Sequence, residues 1–410
     1  MTFDREARQF RLLTVHCVLW SLAMSMAGGF VGAYLLRQGF SLATTIVIYA
    51  ILLLVRFAIR AVMLPVIRRV GMRRAILLGA GIAALQFLPL IGAEQPLWLA
   101  VWILIVAAGE CVYWPVCHAA NAVCGGGGRR GRQLAHRQMA RTAASVVGPV
   151  VGGILLTRIG PAAEFGIATA FCLLSAAPLW WMREIDLGRV PTFCQSLAAA
   201  DLVGLCAFAG DGWMSAGTGI AWALILFSTL GSSYDALGWA STAAAGAGAL
   251  AGLGCGVAID RGHRHLLSHG VTAALLIGVL MRVASGWAPW VAFAANTVGA
   301  AVSGLYYPIL MSVVYDRAKR SGSAYQFHLS TEAGWDSGAI LGCLVAAAVA
   351  WTGVPAPLAV LPSVLGIVVI HRCVRAECKT VAVEKQRMVI VSVVPGDTAS
   401  HDEKVLPQAA

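Results

Sequence analysis

The sequence predicts an all-α integral membrane protein of twelve transmembrane helices, arranged as two pseudo-symmetric halves of six. Three observations predict it. Hydrophobic residues make up 59% of the 410 and charged residues only 12%, with mean hydropathy +0.77, a composition outside the range of ordinary water-soluble globules. Apolar runs of about 20 residues, each long enough to cross a hydrocarbon core of about 30 Å as a helix, recur along the chain. Finally, landmarks repeat at one offset: Tyr113-Trp114-Pro115 answers Tyr306-Tyr307-Pro308, Trp20 answers Trp213 and Gln133 answers Gln326, each 193 residues on. Such an internal duplication is common in secondary transporters.

The spans of the first half fall near 13–36, 42–66, 75–93, 96–117, 138–158 and 163–182. Those of the second fall near 203–230, 236–259, 266–285, 288–314, 326–351 and 355–372. The halves therefore occupy 1–182 and 201–375. The mixed stretch 183–200 reads as a cytoplasmic linker too short to form a domain, and 376–410 as a disordered cytoplasmic tail. The opening Met1-Thr2-Phe3-Asp4-Arg5 lacks the short apolar core and small-residue cleavage site of a signal peptide, so the first span is expected to be retained.

Basic residues set the orientation. Arg5, Arg8 and Arg11, then Arg68, Arg69, Arg73 and Arg74, then Arg129, Arg130 and Arg132, then Arg183 and Arg189, then Arg261 and Arg264, then Arg317, Lys319 and Arg320 all fall on alternate sides of successive spans. The positive-inside bias places these loops and both termini in the cytoplasm. The net charge of +11 is thereby a topology signal; no soluble basic face with interleaved aromatics supports nucleic-acid binding. The Ala, Gly and Arg usage points to a bacterial inner membrane.

Eleven cysteines are scattered singly, with no C-x-x-C pair, and read as buried small apolar residues, with no metal site. The run Cys124-Gly125-Gly126-Gly127-Gly128-Arg129 lacks the Lys-Ser/Thr pair and the preceding strand of a phosphate loop. No cofactor is expected. An enzyme is not expected either, because no nucleophile with a base, metal cluster or cofactor loop emerges.

Two basic loops carry a recognisable pattern. One reads Gly256-Val257-Ala258-Ile259-Asp260-Arg261-Gly262-His263-Arg264; the other reads Leu64-Pro65-Val66-Ile67-Arg68-Arg69-Val70-Gly71-Met72-Arg73-Arg74. With twelve spans in two halves and these loops after the second and eighth, the chain resembles the major facilitator superfamily over about residues 10–375. Gly256, Asp260, Arg261, Gly262 and Arg264 keep the family's loop motif. In the first half Arg68 stands where that motif has an aspartate, beside Gly71 and Arg73. The fifth span adds Gly148-Pro149-Val150-Val151-Gly152-Gly153, similar to the antiporter motif of drug/proton exchangers in that superfamily. Its plain physical reading is close helix approach at the glycines and a bend at the proline. Those exchangers commonly carry a buried arginine in the fourth span, where this chain has Glu110.

Ionisable residues inside spans mark pathways or gates. Arg56 and Arg60 share a face of the second span at i, i+4, as Glu332 and Asp336 do on the eleventh. Opposite charges at similar depth, each pair starting about a dozen residues or fewer from the cytoplasmic end, predict an interdomain ion-pair gate on that side. Arg137 and Arg141 form a further pair at the start of the fifth span. Asp211 and Glu110, with no basic neighbour in sequence, are the proton-coupling candidates. Trp20, Tyr113, Trp114, Trp213, Tyr306, Tyr307 and Trp335 are candidates to line a cavity for flat or cationic molecules.

The functional expectation is a monomeric secondary transporter in the lipid bilayer that moves a small organic molecule by alternating access, with the proton as coupling ion and antiport as its mode. Organic-anion uptake through Arg56, Arg137 and Arg141 stands as an alternative, as does a receptor or assembly protein that keeps the fold without transport.

Overall fold

The structure, a computed structural model, describes residues 2–123, 130–184, 192–198, 200–260, 264–320 and 324–377. The glycine-rich loop 124–129, Arg261 and Gly262 of the second loop motif and the tail from 378 lie outside the described residues, as do the side chains of Arg68, Arg137, Asp260 and Arg264.

Twelve helical stretches traverse one bundle. In the first half α1 runs over Thr2–Met26 and continues through a 3-10 turn into Val31–Arg37. It is followed by α2 (Leu42–Val70), α3 (Met72–Ala84), α4 (Pro96–Val123), α5 (Arg130–Arg158) and α6 (Pro161–Trp180). In the second half α7 (Leu202–Ser215) passes through a π-helical turn, Ala216–Ala221, into Trp222–Thr229. Then come α8 (Tyr234–Asp260), α9 (Arg264–Ala284), α10 (Pro289–Arg320), α11 (Ala324–Trp351) and α12 (363–377). Ten of these are long and apolar enough to cross a membrane by length and composition; α7 and α10 complete the set. The chain is an integral membrane protein.

The repeat is visible in the helix starts: Pro96 opens α4 and Pro289, 193 residues on (289 − 96), opens α10. Two boundaries have clear local causes. Ser41 caps α2 by accepting from the Thr44 N–H at 3.1 Å. Gly71 closes it at φ +81°, a conformation that side chains disfavour. The hydropathy spans stop at the first charges, yet α4, α5 and α10 run on to Val123, back to Arg130 and on to Arg320. Leaving the apolar layer does not end a helix whose own backbone bonds are intact. The third span is shorter than its apolar run because α3 gives way after Ala84 to turns and a brief helix, Phe87–Leu90.

Each half packs its own helices, α1 on α5 and α6, α2 on α4 and α3 on α6 in the first, with α7 on α11 and α9 on α10 in the second. The halves meet along two seams, α2 against α11 and α5 against α8. The duplication maps one seam onto the other, since α2 corresponds to α8 and α5 to α11.

Candidate functional site

The seam between α2 and α11 is ionic. Arg56 lies 14 residues from either end of α2 (56 − 42 and 70 − 56), so it sits at mid-depth. Its Nη1 donates to Glu110 Oε2 of α4 at 2.5 Å and its Nε to Asp336 Oδ1 of α11 at 3.0 Å, with Nη2 donating to the same Asp336 oxygen. Arg60 donates through Nη2 to Asp336 Oδ2 at 2.6 Å and lies 3.7 Å from Glu332 Oε2. Asp336 is fully buried and takes both arginines, so one carboxylate of the second half holds two cations of the first.

Exposure within this cluster is uneven. The side chains of Arg56, Arg60 and Asp336 are 11%, 4% and 0% exposed, whereas Glu110 and Glu332 are 26% and 31% exposed. The arginines are buried among these acids, with Arg60 Nε left without a hydrogen bond among the described residues. The exposed surface of the cluster is that of the carboxylates Glu110 and Glu332.

Asp211 lies beside this cluster. Tyr306 Oη donates to its Oδ1 at 2.8 Å and Trp335 Nε1 to its Oδ2 at 3.0 Å, so both of its oxygens are hydrogen-bonded. Both donors are neutral, and a tyrosine hydroxyl can turn to accept, so the same site accommodates a carboxylate or a carboxylic acid. Trp335 links Asp211 to the ion pairs, since the Arg56 guanidinium carbon stands 5.1 Å from its ring centre. Glu110, predicted alongside Asp211, is a direct ligand of Arg56.

The duplicated tyrosine has a matching partner. Tyr113 donates to His16 Nε2 at 2.9 Å. His16 Nδ1 lies 2.8 Å from the Ser175 carbonyl, which only accepts, so Nδ1 carries the proton. Trp20 stacks on Tyr113 with ring centres 4.3 Å apart. Each half thus ties the tyrosine of its fourth helix to a titratable residue of its first. His16 escaped the sequence reading because a lone histidine in an apolar run gives no sign of what lies opposite it. Glu164, fully buried in α6 with neither oxygen hydrogen-bonded among the described residues, escaped it likewise.

The aromatic set divides. Trp20, Tyr113 and Tyr306 are buried and committed to partners. Trp213 donates to the Pro362 carbonyl at 2.7 Å, Tyr307 is exposed, and Trp114 and Trp335 remain half-buried near the acids. Arg141 donates to Ser21 Oγ at 3.2 Å.

The other seam is built from small residues. Gly238 of α8 packs so closely that a Cβ there would stand 2.6 Å from the Pro149 carbonyl, and one on Gly153 would stand 2.7 Å from the Tyr234 carbonyl. Thr242 donates to the Val146 carbonyl at 2.8 Å. Gly148 and Gly152 face the other way, against Ser25 and Met26 of α1. The glycine-proline motif thus lets α5 press on α1 with one face and on the opposite half with the other. Beyond Thr242 the partner of α8 is α10, through Gly248 against Ala300. At the Gly39 and Gly231 loops the halves are also tied, where Arg37 donates to the Ser232 carbonyl at 2.8 Å. The halves are thus in contact at the end away from the basic loops while the ionic cluster is formed.

At the basic-loop end each half is clasped within itself. Glu184 accepts from the Arg73 N–H at 3.0 Å, and Arg73 Nη2 donates to the Trp180 carbonyl at 2.6 Å, fixing the Gly71 turn on the end of α6. Arg317 donates to both oxygens of Asp201 at 2.5 Å and to Glu377 at 2.5 Å, and Arg320 also pairs with Glu377. Asp201 in turn caps α7 by accepting from the Gly204 N–H at 2.6 Å.

Residues 21–192 match the family model described as the Major Facilitator Superfamily. Solved structures extend the likeness to the whole bundle. A D-xylose-proton symporter superposes with TM-score 0.65 at 13% identity, over 89% of this chain and 97% of its own. The fold is that of the major facilitator superfamily. A nucleoside transporter gives TM-score 0.65 at 11% identity, over 90% and 99% of the two chains. The Escherichia coli fucose:proton symporter gives 0.59 at 16%, over 91% and 99%. No curated protein matches the sequence.

Proposed function

We propose that this chain is a proton-coupled secondary transporter that exchanges protons for a small basic organic compound by alternating access. The observation that carries the reading is the placement of Arg56, which holds Glu110 of its own half and Asp336 of the other at mid-depth. A cationic compound competes with Arg56 and Arg60 for Glu110 and Glu332, and drawing those acids away weakens the tie between the halves. Asp211, with its switchable Tyr306 hydroxyl, is the proton site, and filling by a proton and by an organic cation in alternation gives exchange.

The reading takes the basic-loop end as cytoplasmic, 183–200 as the tether between halves, and the conformation described as facing inward. The proton symporters among the similar structures support proton coupling; the direction of exchange rests on the exposed acids Glu110 and Glu332. Anion uptake is disfavoured because Arg56 and Arg60 are already neutralised.

The test is proton movement in sealed proteoliposomes carrying a pH-sensitive dye, with cationic, neutral and anionic compounds offered in turn. A flux triggered by cations in wild type and absent in Asp336→Asn and Asp211→Asn is the expected result. Flux triggered by anions, or unchanged in both variants, contradicts the reading.

A further inference from the structure

Arg8 and Arg11 of α1 lie on one helix face and form, with Leu12, Val15, Pro178 and Trp181, a groove of about 330 Å³ on the outside of the bundle. Among the described residues neither guanidinium has an ion-pair or hydrogen-bond partner, and both side chains are exposed. The wall beneath them is apolar and open: Val15 is 49% exposed, and Trp181 at the end of α6 is 59% exposed.

Depth orders these groups. A helix rises about 1.5 Å per residue, so Arg8 stands about 10 Å from Val15 along α1. An exposed tryptophan at the end of a spanning helix marks the headgroup level. The groove therefore runs from two exposed positive charges, past an interfacial ring, down an aliphatic wall.

We infer that this groove is a binding site for an anionic phospholipid, whose headgroup phosphate sits between Arg8 and Arg11 and whose acyl chain lies along Leu12, Val15 and Pro178. Charge complementarity selects an anionic headgroup over a zwitterionic one, as basic pockets between spanning helices do. The apolar wall selects a lipid over free phosphate, because inorganic phosphate has nothing to place against Val15 or Pro178. The bound lipid clamps α1 to α6 just beside the His16–Ser175 contact between the same two helices.

Native mass spectrometry of the full chain tests this, with phosphatidylglycerol and phosphatidylcholine of identical acyl chains offered in equal amounts. Wild type should retain phosphatidylglycerol in preference by about fivefold or more. The Arg8→Gln/Arg11→Gln variant should lose the preference while eluting as folded protein, and Arg8→Lys/Arg11→Lys should keep most of it. Inorganic phosphate at millimolar concentration should not displace the lipid. Equal retention of the two lipids by wild type, an unchanged preference in the glutamine variant, or displacement by phosphate overturns the inference.

Discussion

The two seams between the halves occupy equivalent positions in the duplication, yet they are built from opposite materials. Between α5 and α8 the backbones touch, through Gly153, Gly238 and the Pro149 carbonyl. Between α2 and α11 the contact is carried by Arg56, Arg60 and Asp336. Close packing is insensitive to protons and tolerates little separation, whereas a buried ion pair changes its worth when one partner gains a proton. Under the proposed function one seam acts as a pivot and the other as the element that responds to chemistry.

The largest way to break that contrast is Asp336→Asn. It leaves two buried arginines short of their shared acid, and breaking a buried pair on one side costs about 3–5 kcal/mol. Thermal unfolding in detergent should show a marked loss of stability, and transport should fall below detection. Gly238→Val attacks the pivot instead. Overpacking costs about 1–3 kcal/mol, so melting should drop less, and whatever transport survives should keep its wild-type pH dependence.

A smaller effect separates the twin tyrosines. Tyr306→Phe and Tyr113→Phe each remove one hydrogen bond, about 1 kcal/mol. Only the first touches the acid of the coupling chain, so only Tyr306→Phe should shift the pH profile of transport.

The smallest prediction concerns the clasp at the start of α7. Burial works to raise the Asp201 carboxyl, but the Arg317 hydrogen bonds and the Gly204 N–H hold it below its ordinary value. A depressed carboxylate stabilises the fold above its unfolded value, near pH 4, and that contribution is lost as pH falls through the depressed value. Melting of Asp201→Asn should therefore trail wild type at neutral pH and converge with it in acid.

Much of this was written in the sequence, and the parts that were not share a cause. Helix positions and the duplication are local or periodic, so hydropathy and the repeated tyrosine-proline landmarks reveal them. The i, i+4 spacing of Arg56/Arg60 and Glu332/Asp336 also survives in one dimension. Glu110 as the third ligand, His16 beneath Tyr113 and the two donors on Asp211 depend on how α1, α4, α7 and α10 face one another, and spacing within one helix carries no record of that. Helix ends are also read short: the apolar run stops near 66, while α2 continues as helix to Val70. The glycine-proline stretch of α5 suited two readings in sequence; the geometry assigns its glycines to helix contacts.

The central claim is that the Asp336 ion pair controls the relation between the halves. Spin labels at Met139 of α5 and Gly254 of α8, toward the basic-loop end, would report that relation as a distance in lipid nanodiscs. The account predicts one distance distribution shared by wild type and Gly238→Val and a different one in Asp336→Asn. A distribution in Asp336→Asn equal to that of wild type would contradict it.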